Sequence, residues 1–249
     1  FSLRFSLFLM LAFIGIGALA QSGEAVKQVD ASTQDSVFLI YLNDASGSAT
    51  ALGSGFLVSP RTLITNAHVV EAGEPVLAVG PVRIPLKTIA VDKEHDLAEL
   101  SLSVDLTSKP LSLCMDPVRP GEQIFAIGNP AGLEKTISEG IVSATRNLDG
   151  HDLIQITSPI SHGSSGGPIL NAKGEVVGVA VWMLENGQNL NFAVPVAYVK
   201  KLMERKQDAA PPFNHENSLE SEAELMEAWP NASYSNDPNS RFQLAQQKA

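Results

Sequence analysis

Short apolar runs, separated by turn-forming residues, occupy most of the chain between residues 37 and 194. In the first half these runs are 37–42, 55–58, 62–65, 75–79 and 97–102, and in the second half they are 123–128, 141–145, 153–157, 175–182 and 190–194. Turn signals such as Ser59-Pro60 and Gly80-Pro81 stand between them. Many short strands with this punctuation predict an all-β barrel or sandwich. Most runs do not alternate cleanly, as expected where barrel interiors and packed outer faces are both apolar.

Two further segments organise this β-region. Residues 114–122 contain two prolines and a glycine, which predicts a linker between two β-units at about 36–115 and 121–200. Residues 196–206 carry apolar side chains at 196, 199, 202 and 203, a helical spacing that begins directly after Pro195. We therefore expect a short C-terminal helix to close the second unit.

The ends of the chain differ from its middle. Residues 1–20 are almost wholly apolar, with Arg4 as the only charge and Ala18-Leu19-Ala20 at the end, which predicts a secretory signal peptide cleaved after Ala20. An uncleaved membrane anchor is the alternative, although the apolar run is short for a membrane span of about 20 residues. Residues 21–35 are polar and are expected to be flexible. Residues 207–249 are expected to form an acidic, disordered tail, since positions 208–249 hold seven acidic and two basic residues.

Composition narrows the class of protein. The chain has 249 residues, 44% of them hydrophobic, which suffices for a sizeable core, and its formal charge of −10 disfavours nucleic acid as a partner. Cys114 is the only cysteine, so no intramolecular disulfide can form. We interpret it as a small hydrophobic residue.

Three motifs carry candidate chemistry. Thr65-Asn66-Ala67-His68 comes first, Asp96 follows in His95-Asp96-Leu97-Ala98, and Ser165 follows in Gly163-Ser164-Ser165-Gly166-Gly167. His, Asp, Ser is a known chain order of the catalytic triad. A serine hydroxyl is a weak nucleophile and needs a base to take its proton. Imidazole is suited to that role near pH 7, and a carboxylate beside the ring fixes the tautomer of the imidazole. His68, Asp96 and Ser165 are therefore the predicted catalytic residues.

Each motif alone has a simpler interpretation. A Gly/Ser stretch is more often a turn, a lone histidine is more often structural, and an aspartate before Leu-Ala is more often a surface or cap residue. His95 is a rival for the base, but adjacent strand residues point to opposite faces, so we expect His95 and Asp96 not to share a cleft. The glycines favour acyl transfer, because the N–H groups of Gly163 and Ser165 could form an oxyanion hole.

Five strings together resemble trypsin-like serine proteases of the HtrA (Deg) type. They are GSGFLVSPRTLITNAHVV, HDLAEL, FAIGNPAGLEKTISEGIVSA, SSGGPILNAKGEVVGV and NFAVP. The resemblance implies a chymotrypsin-like double β-barrel over residues 36–200, with His68 as general base, Asp96 as its orienting carboxylate and Ser165 as nucleophile. Two departures stand out. The proline that the family places before Gly163 is replaced by His162, and no PDZ domain, the family's usual companion, fits after residue 200.

The resemblance also implies where the substrate binds. The residue six before the nucleophile, Pro159, would lie at the floor of the primary pocket beside Ile160. The strand that contains Val179, Ala180 and Val181 would form a wall and pair with substrate backbone. Because no carboxylate stands at the predicted floor, we expect a preference for small or medium aliphatic residues.

Neither a metal nor a cofactor is predicted. His215-Glu216 lacks a second histidine four residues after the first, and no phosphate-binding loop motif is present. His95, His151 and His215 are interpreted as solvated.

The sequence thus predicts an exported, cofactor-independent serine endopeptidase, periplasmic or secreted, that acts on proteins or peptides, unfolded ones in particular. It would contact a membrane only through an uncleaved signal sequence, and homo-oligomers are left open. The alternatives are a catalytically silent protease-fold binding module and a fragment of a larger protein.

Overall fold

The computed structural model describes residues 26–43, 49–71, 73–79, 82–128, 136–148, 150–161, 163–181 and 191–207. The predicted signal peptide and the predicted tail from residue 208 lie outside these ranges. Among the described helices, none has the length and apolar character needed to cross a membrane.

Twelve strands and a C-terminal helix form the body of the protein. The first half contains β1 (Val37–Asn43), β2 (Ala49–Ser59), β3 (Thr62–Thr65), β4 (Glu74–Val79), β5 (Val82–Asp92) and β6 (Leu97–Leu102). The second half contains β7 (Gln123–Gly128), β8 (Thr136–Leu148), β9 (His151–Ile156), β10 (Pro168–Asn171), β11 (Val176–Val181) and β12 (Asn191–Pro195). A short helix, α1, covers residues 26–33, a 3-10 turn covers Gln34–Ser36, and α2 covers Val196–Gln207.

Each half closes into a six-stranded antiparallel barrel. The strand orders are β1-β2-β3-β6-β5-β4 and β10-β11-β12-β9-β8-β7. The predicted all-β double barrel with a short C-terminal helix is therefore confirmed. Closure leaves neither barrel with a free sheet edge. The near-continuous apolar runs arise where both faces of a strand are buried, as in β11, whose six residues are all buried and whose side chains divide between two core clusters.

Two strands, β5 and β10, were not predicted from the sequence. β5 carries a proline at position 85 and several charged side chains, features that disfavour a strand, yet Pro85 lies opposite Val76 in the β4–β5 register. β10 has only four residues and begins at a proline directly after the candidate nucleophile motif. In both cases barrel closure outweighs the local sequence signal.

The N-terminal segment also differs from its prediction. Residues 21–35 were expected to be flexible, but residues 26–33 are helical. Val29 is 2% exposed and belongs to the core, and Val26 packs against the same core. Two valines three positions apart form a narrow apolar stripe on one helix face, which is too short to stand out among polar neighbours.

The hydrophobic core has three parts. One cluster fills the first barrel and includes Ile40, Leu57, Leu63 and Leu100, and another fills the second barrel and includes Ile124, Ile154, Ile156 and Ile169. The third lies between the barrels: it joins Phe56 and Leu97 of the first barrel to Phe125 and Leu170 of the second, and includes Val199 of α2. This shared core fixes how the barrels face each other.

The connection between the barrels is longer than the predicted linker of residues 114–122. Residues 103–122 contain no strand; this segment is described throughout. Leu113 forms an isolated bridge with Val176, and the Leu111 N–H donates to the Leu57 carbonyl at 2.8 Å. Cys114 is half-buried and packs against the core of the second barrel, as expected for a small hydrophobic residue.

Candidate active site

His68 and Asp96 form a two-point contact. His68 Nδ1 lies 2.7 Å from Asp96 Oδ2, and the backbone N–H of His68 donates to Asp96 Oδ1 at 3.0 Å. His68 follows the end of β3, and Asp96 closes the turn between β5 and β6. A carboxylate on Nδ1 stabilises the tautomer whose Nε2 can accept a proton. This contact distinguishes His68 from its rival His95, whose Nδ1 lies 3.0 Å from Asp92 Oδ2 instead.

Asp96 adopts a strained backbone conformation. Its φ is 53°, the only positive φ at a non-glycine position among the described residues. The side-chain amide of Asn66 donates to the Asp96 carbonyl at 2.8 Å, and Asn66 itself is fully buried. Strain of this kind persists only where surrounding contacts hold it, and it concentrates at functional sites. His95 and Asp96 lie in a turn, not in a strand as predicted, and their side chains have different partners.

Ser165 lies at the contact between the two barrels. Its side chain is largely buried, with 6% of the residue exposed, and its carbonyl accepts the Ser54 N–H at 2.8 Å. The Ser54 hydroxyl donates to the Gly163 carbonyl at 2.7 Å. Ser54 belongs to β2 of the first barrel, so one residue bonds the candidate nucleophile segment at two points.

Gly166 is required by the same packing. Its φ is 84°, and a Cβ at this position would lie 2.2 Å from the Ser54 carbonyl oxygen and 2.3 Å from Thr65 Oγ1. Thr65 Oγ1 donates to the Ser54 carbonyl at 2.7 Å, three residues before His68. The nucleophile segment therefore packs directly on the elements that carry the base.

Three residues of this network were not predicted as functional: Ser54, Thr65 and Asn66. Ser54 lies between two glycines in the motif Gly53-Ser54-Gly55, and that small-residue triplet inside a strand is the available signal. Glycine inside a strand often marks close approach of another backbone. Nothing in one sequence says which backbone approaches.

The predicted oxyanion donors are the backbone N–H groups of Gly163 and Ser165. Among the described residues, neither the Gly163 N–H nor the Ser165 N–H donates a hydrogen bond. Gly163 has a φ of 91°, a conformation that glycine adopts readily and other residues rarely do. The next residue, Ser164, donates its N–H to the Ser161 carbonyl at 2.9 Å. After Ser165, the Gly166 N–H donates to the Ala180 carbonyl at 3.0 Å, which connects the nucleophile segment to β11.

The structure brings His68 and Asp96 into contact, whereas Ser165 reaches them through Ser54 and Thr65. Within the described part of the chain, Ser165 Oγ makes no hydrogen bond to the His68 ring. In free enzymes the contact between nucleophile and base is often long and tightens when substrate binds.

A cavity of about 200 Å³ borders the nucleophile segment. Its lining residues are Ala126, Ile127, Gly128, Thr136, Ser138, Pro159, Ile160, Ser161, Ser164 and Ala180. None of these side chains carries a charge. Three of the five predicted pocket residues are among them: Pro159, Ile160 and Ala180.

The other two predicted pocket residues lie elsewhere. Val179 and Val181 are 0% and 4% exposed and belong to the core shared by the barrels. Neighbouring strand residues point to opposite faces, so the β11 face that carries Ala180 cannot also carry the two valines. The predicted pairing of β11 with substrate backbone is restricted by the partners that the strand already has. At Gly178 and Val179 the strand already pairs with β10 on one side and β12 on the other.

Of the two described histidines expected to be solvated, His95 is largely buried and His151 is half-buried. The His95 side chain is 11% exposed and stacks on Tyr198, with ring centroids 3.7 Å apart. His151 Nδ1 is buried, although the side chain as a whole is 36% exposed. Asp92, the partner of His95, is 5% exposed. Burial raises the pKa of the Asp92 carboxyl, but hydrogen bonds from His95 and the charges of His95 and Arg205 outweigh it and leave that pKa below its usual value.

Comparisons with known proteins place the chain among peptidases. The family model of the trypsin-like peptidase domain matches residues 53–179. The putative serine protease HhoB of Synechocystis sp. is 36% identical over 164 residues, which are 61% of this chain and 39% of that protein. The serine protease HTRA1B of Danio rerio is 35% identical over 179 residues, 64% of this chain and 36% of that protein. The chain thus spans less than two fifths of the length of these two curated relatives.

A solved structure supports the same grouping. The structure of the HtrA-type protease AlgW with a decapeptide matches with a TM-score of 0.65 and 26% sequence identity. The match covers 73% of this chain and 67% of that chain.

Proposed function

We propose that this chain, a member of the trypsin-like peptidase family, is a serine endopeptidase of the HtrA type that uses Ser165, His68 and Asp96. The observation that carries the proposal is the two-point contact between His68 and Asp96, beside a nucleophile segment bonded to the same barrel. The described lining residues of the neighbouring cavity carry no charge, which is compatible with binding of an uncharged side chain.

Acylation begins at Ser165. Its Oγ attacks the carbonyl carbon of the scissile peptide bond while His68 Nε2 accepts the hydroxyl proton, and Asp96 stabilises the imidazolium that results. The tetrahedral intermediate collapses as the C–N bond breaks, and His68 returns the proton to the leaving amine. An acyl group remains bound to Ser165 Oγ. In deacylation His68 takes a proton from a water molecule that attacks the acyl carbon, and then returns a proton to Ser165 Oγ as the product acid leaves.

The developing oxyanion is stabilised by backbone N–H groups. Those of Gly163 and Ser165 are the candidates, since neither is used elsewhere in the described residues. A donor that is already positioned costs no reorganisation during the reaction, and the loss of one such donor typically lowers kcat by about 10²–10³-fold. The Ser54 contacts to Gly163 and Ser165 would supply that positioning.

The substrates are proteins or peptides in an extended conformation. The structure of AlgW with a decapeptide shows that one HtrA-type protease binds a peptide. In this chain the β11 backbone is paired on both sides at Gly178 and Val179, so strand addition would be confined to the end of the strand near Val181. Unfolded proteins supply extended segments, which makes them the expected substrate class.

The direct test uses a denatured protein substrate. Purified wild type should cleave it, whereas Ser165→Ala should lose a factor on the order of 10⁶ in kcat, the loss typical of removing a catalytic serine. The variant should keep its circular dichroism spectrum and thermal midpoint. Equal cleavage by both proteins would overturn the proposal.

We also propose that the protein is exported, because residues 1–20 have the layout of a signal peptide. Expression behind an initiating methionine in an exporting bacterial host, followed by N-terminal sequencing, should yield a chain that begins at Gln21. Recovery of an intact N-terminus in the membrane fraction would support the anchor alternative instead.

A further inference from the structure

Three side chains that can bind metal meet at the turn that contains Asp96. They are Glu94 and His95, from the turn between β5 and β6, and His151, the first residue of β9. One potential ligand atom from each lies within 4.8 Å of the others. The group therefore joins the first barrel to the second, and we refer to it as the inter-barrel histidine cluster.

His95 is oriented by its neighbours. Its Nδ1 lies 3.0 Å from Asp92 Oδ2, and its ring stacks on Tyr198 of α2. Asp92 is 5% exposed, and Arg205 Nη1 lies 3.6 Å from its Oδ2. A carboxylate on one ring nitrogen leaves the other, Nε2, as a metal ligand and raises its basicity, an arrangement that accompanies most histidine ligands of metals.

His151 provides the second observation. Its Nδ1 is buried and has no hydrogen-bond partner among the described residues. The closest acceptor recorded for it, Glu94 Oε1, lies 3.8 Å away, too far for a hydrogen bond. Buried polar atoms are almost always satisfied, so an orphaned imidazole nitrogen facing a carboxylate and a second imidazole calls for a ligand.

We propose that Glu94, His95 and His151 bind a divalent transition-metal ion of the zinc type. Imidazole nitrogens and one carboxylate form a donor set that suits Zn²⁺ and Co²⁺, whereas Ca²⁺ and Mg²⁺ prefer oxygen donors alone. Ligand atoms around a tetrahedral zinc ion lie about 3.3 Å apart, given bonds of about 2.0–2.1 Å. The 3.8 Å separation of His151 Nδ1 and Glu94 Oε1 needs little closure, and the Glu94 side chain is 64% exposed.

Bound metal would connect the catalytic turn to the second barrel. Glu94 and His95 directly precede Asp96, whose backbone is strained, and His151 starts β9. The ion would then stabilise the folded arrangement of the two barrels at the turn that carries Asp96. Only the link to the triad rests on the proposed peptidase function; metal binding itself does not.

The test measures binding without activity. The full chain carrying Ser165→Ala, which prevents self-digestion, is freed of metal with a chelator and titrated with Zn²⁺ by calorimetry and with Co²⁺ by visible absorption. We expect one ion per chain and, at metal concentrations a hundredfold above the dissociation constant, a thermal midpoint raised by roughly 5–10 °C. Absence of binding to this parent protein would overturn the proposal.

Two variants locate the ion. His151→Ala in the same background should lose more than about 100-fold in affinity and show no rise in thermal midpoint, and Glu94→Gln, an exposed and conservative change, should lose at least about tenfold. His68→Ala, which removes the other histidine with a carboxylate partner near the cleft, should bind like the parent. Parent-like binding by His151→Ala, or loss of binding in His68→Ala, would place the ion elsewhere and overturn the proposal. Metal-free thermal midpoints of all variants show whether each is folded.

Discussion

The Ser54 hydroxyl donates a 2.7 Å hydrogen bond to the Gly163 carbonyl, across the contact between the two barrels. Ser54 is fully buried, and its backbone N–H donates to the Ser165 carbonyl as well. A residue of the first barrel thus fixes two peptide groups in the segment that carries the candidate nucleophile and oxyanion donors. This relationship makes Ser54 a positioning residue whose contribution can be measured.

Ser54→Ala should slow catalysis without unfolding the protein. The variant keeps the backbone bond to Ser165 but leaves the Gly163 carbonyl without its donor, at a cost of about 1–1.5 kcal/mol. If that cost falls on the transition state, kcat decreases about tenfold while KM changes little. Steady-state kinetics on a peptide substrate measure both. Ser103→Ala, at an exposed serine, is the control, and identical kinetics for the two variants would show that the Ser54 hydroxyl has no positioning role.

Gly166→Ala should abolish activity and destabilise the fold. Alanine at a φ of 84° is strained, and its Cβ would lie 2.2 Å from the Ser54 carbonyl oxygen. Gly150→Ala separates the two effects, because Gly150 has a φ of 92° but no atom within 4 Å of an added Cβ. That control should cost only about 1 kcal/mol in urea unfolding and leave activity intact. Equal stability losses for both variants would mean that packing against Ser54 contributes nothing.

Asp96→Asn should lower kcat by roughly 10⁴-fold, the loss typical of this substitution in a triad. Asp96 Oδ1 accepts the backbone N–H of His68, so in the variant the amide nitrogen would face His68 Nδ1. His68 Nδ1 must then accept a hydrogen bond from that amide, so the ring proton resides on Nε2. In this tautomer His68 cannot take the proton of the Ser165 hydroxyl. Asp116→Asn, at an exposed aspartate, is the control. An Asp96→Asn enzyme within tenfold of wild type would remove Asp96 from the mechanism.

Cleavage should follow small or medium aliphatic residues, such as Val, Ala, Ile and Leu. None of the described lining residues of the cavity beside Ser164 is charged, so a buried Lys or Arg side chain would lose hydration at a cost of several kcal/mol. An apolar side chain gains about 0.8 kcal/mol per buried CH₂, so preferences among aliphatic residues should be broad. Sequencing the products from a denatured protein library measures the preference. Dominant cleavage after Lys or Arg would refute the assignment of Pro159 and Ile160 to the pocket.

The sequence predicted what depends on local pattern. The strands at 62–65, 97–102 and 123–128 have the predicted bounds, and α2 begins at the predicted residue. β5 and β10 were missed because barrel closure, a long-range effect, overrides Pro85 and the short length of β10. The orientation of β11 was also beyond reach: a run of buried small residues has no polar alternation to show that Ala180 and Val179 point to opposite faces.

The candidate triad residues could be predicted because each of them lies in a motif with its own sequence pattern. The contacts between the motifs have no such pattern and could not be predicted. Ser54 bonds a segment far along the chain, and the sequence carries no record of that pairing. The inter-barrel histidine cluster could not be predicted for the same reason, because His95 and His151 come together only when the two barrels pack. Their spacing matches no metal-binding pattern that a single sequence reveals.

Labelling with a fluorophosphonate tests the central claim most directly. The reagent phosphonylates a serine whose hydroxyl is activated by a base and whose product is stabilised by an oxyanion hole, and the adduct is mapped by mass spectrometry. The account predicts one adduct, on Ser165, that is absent from Ser165→Ala and strongly reduced in His68→Ala. Absence of an adduct on the folded wild-type protein, or an adduct on another serine, would contradict it.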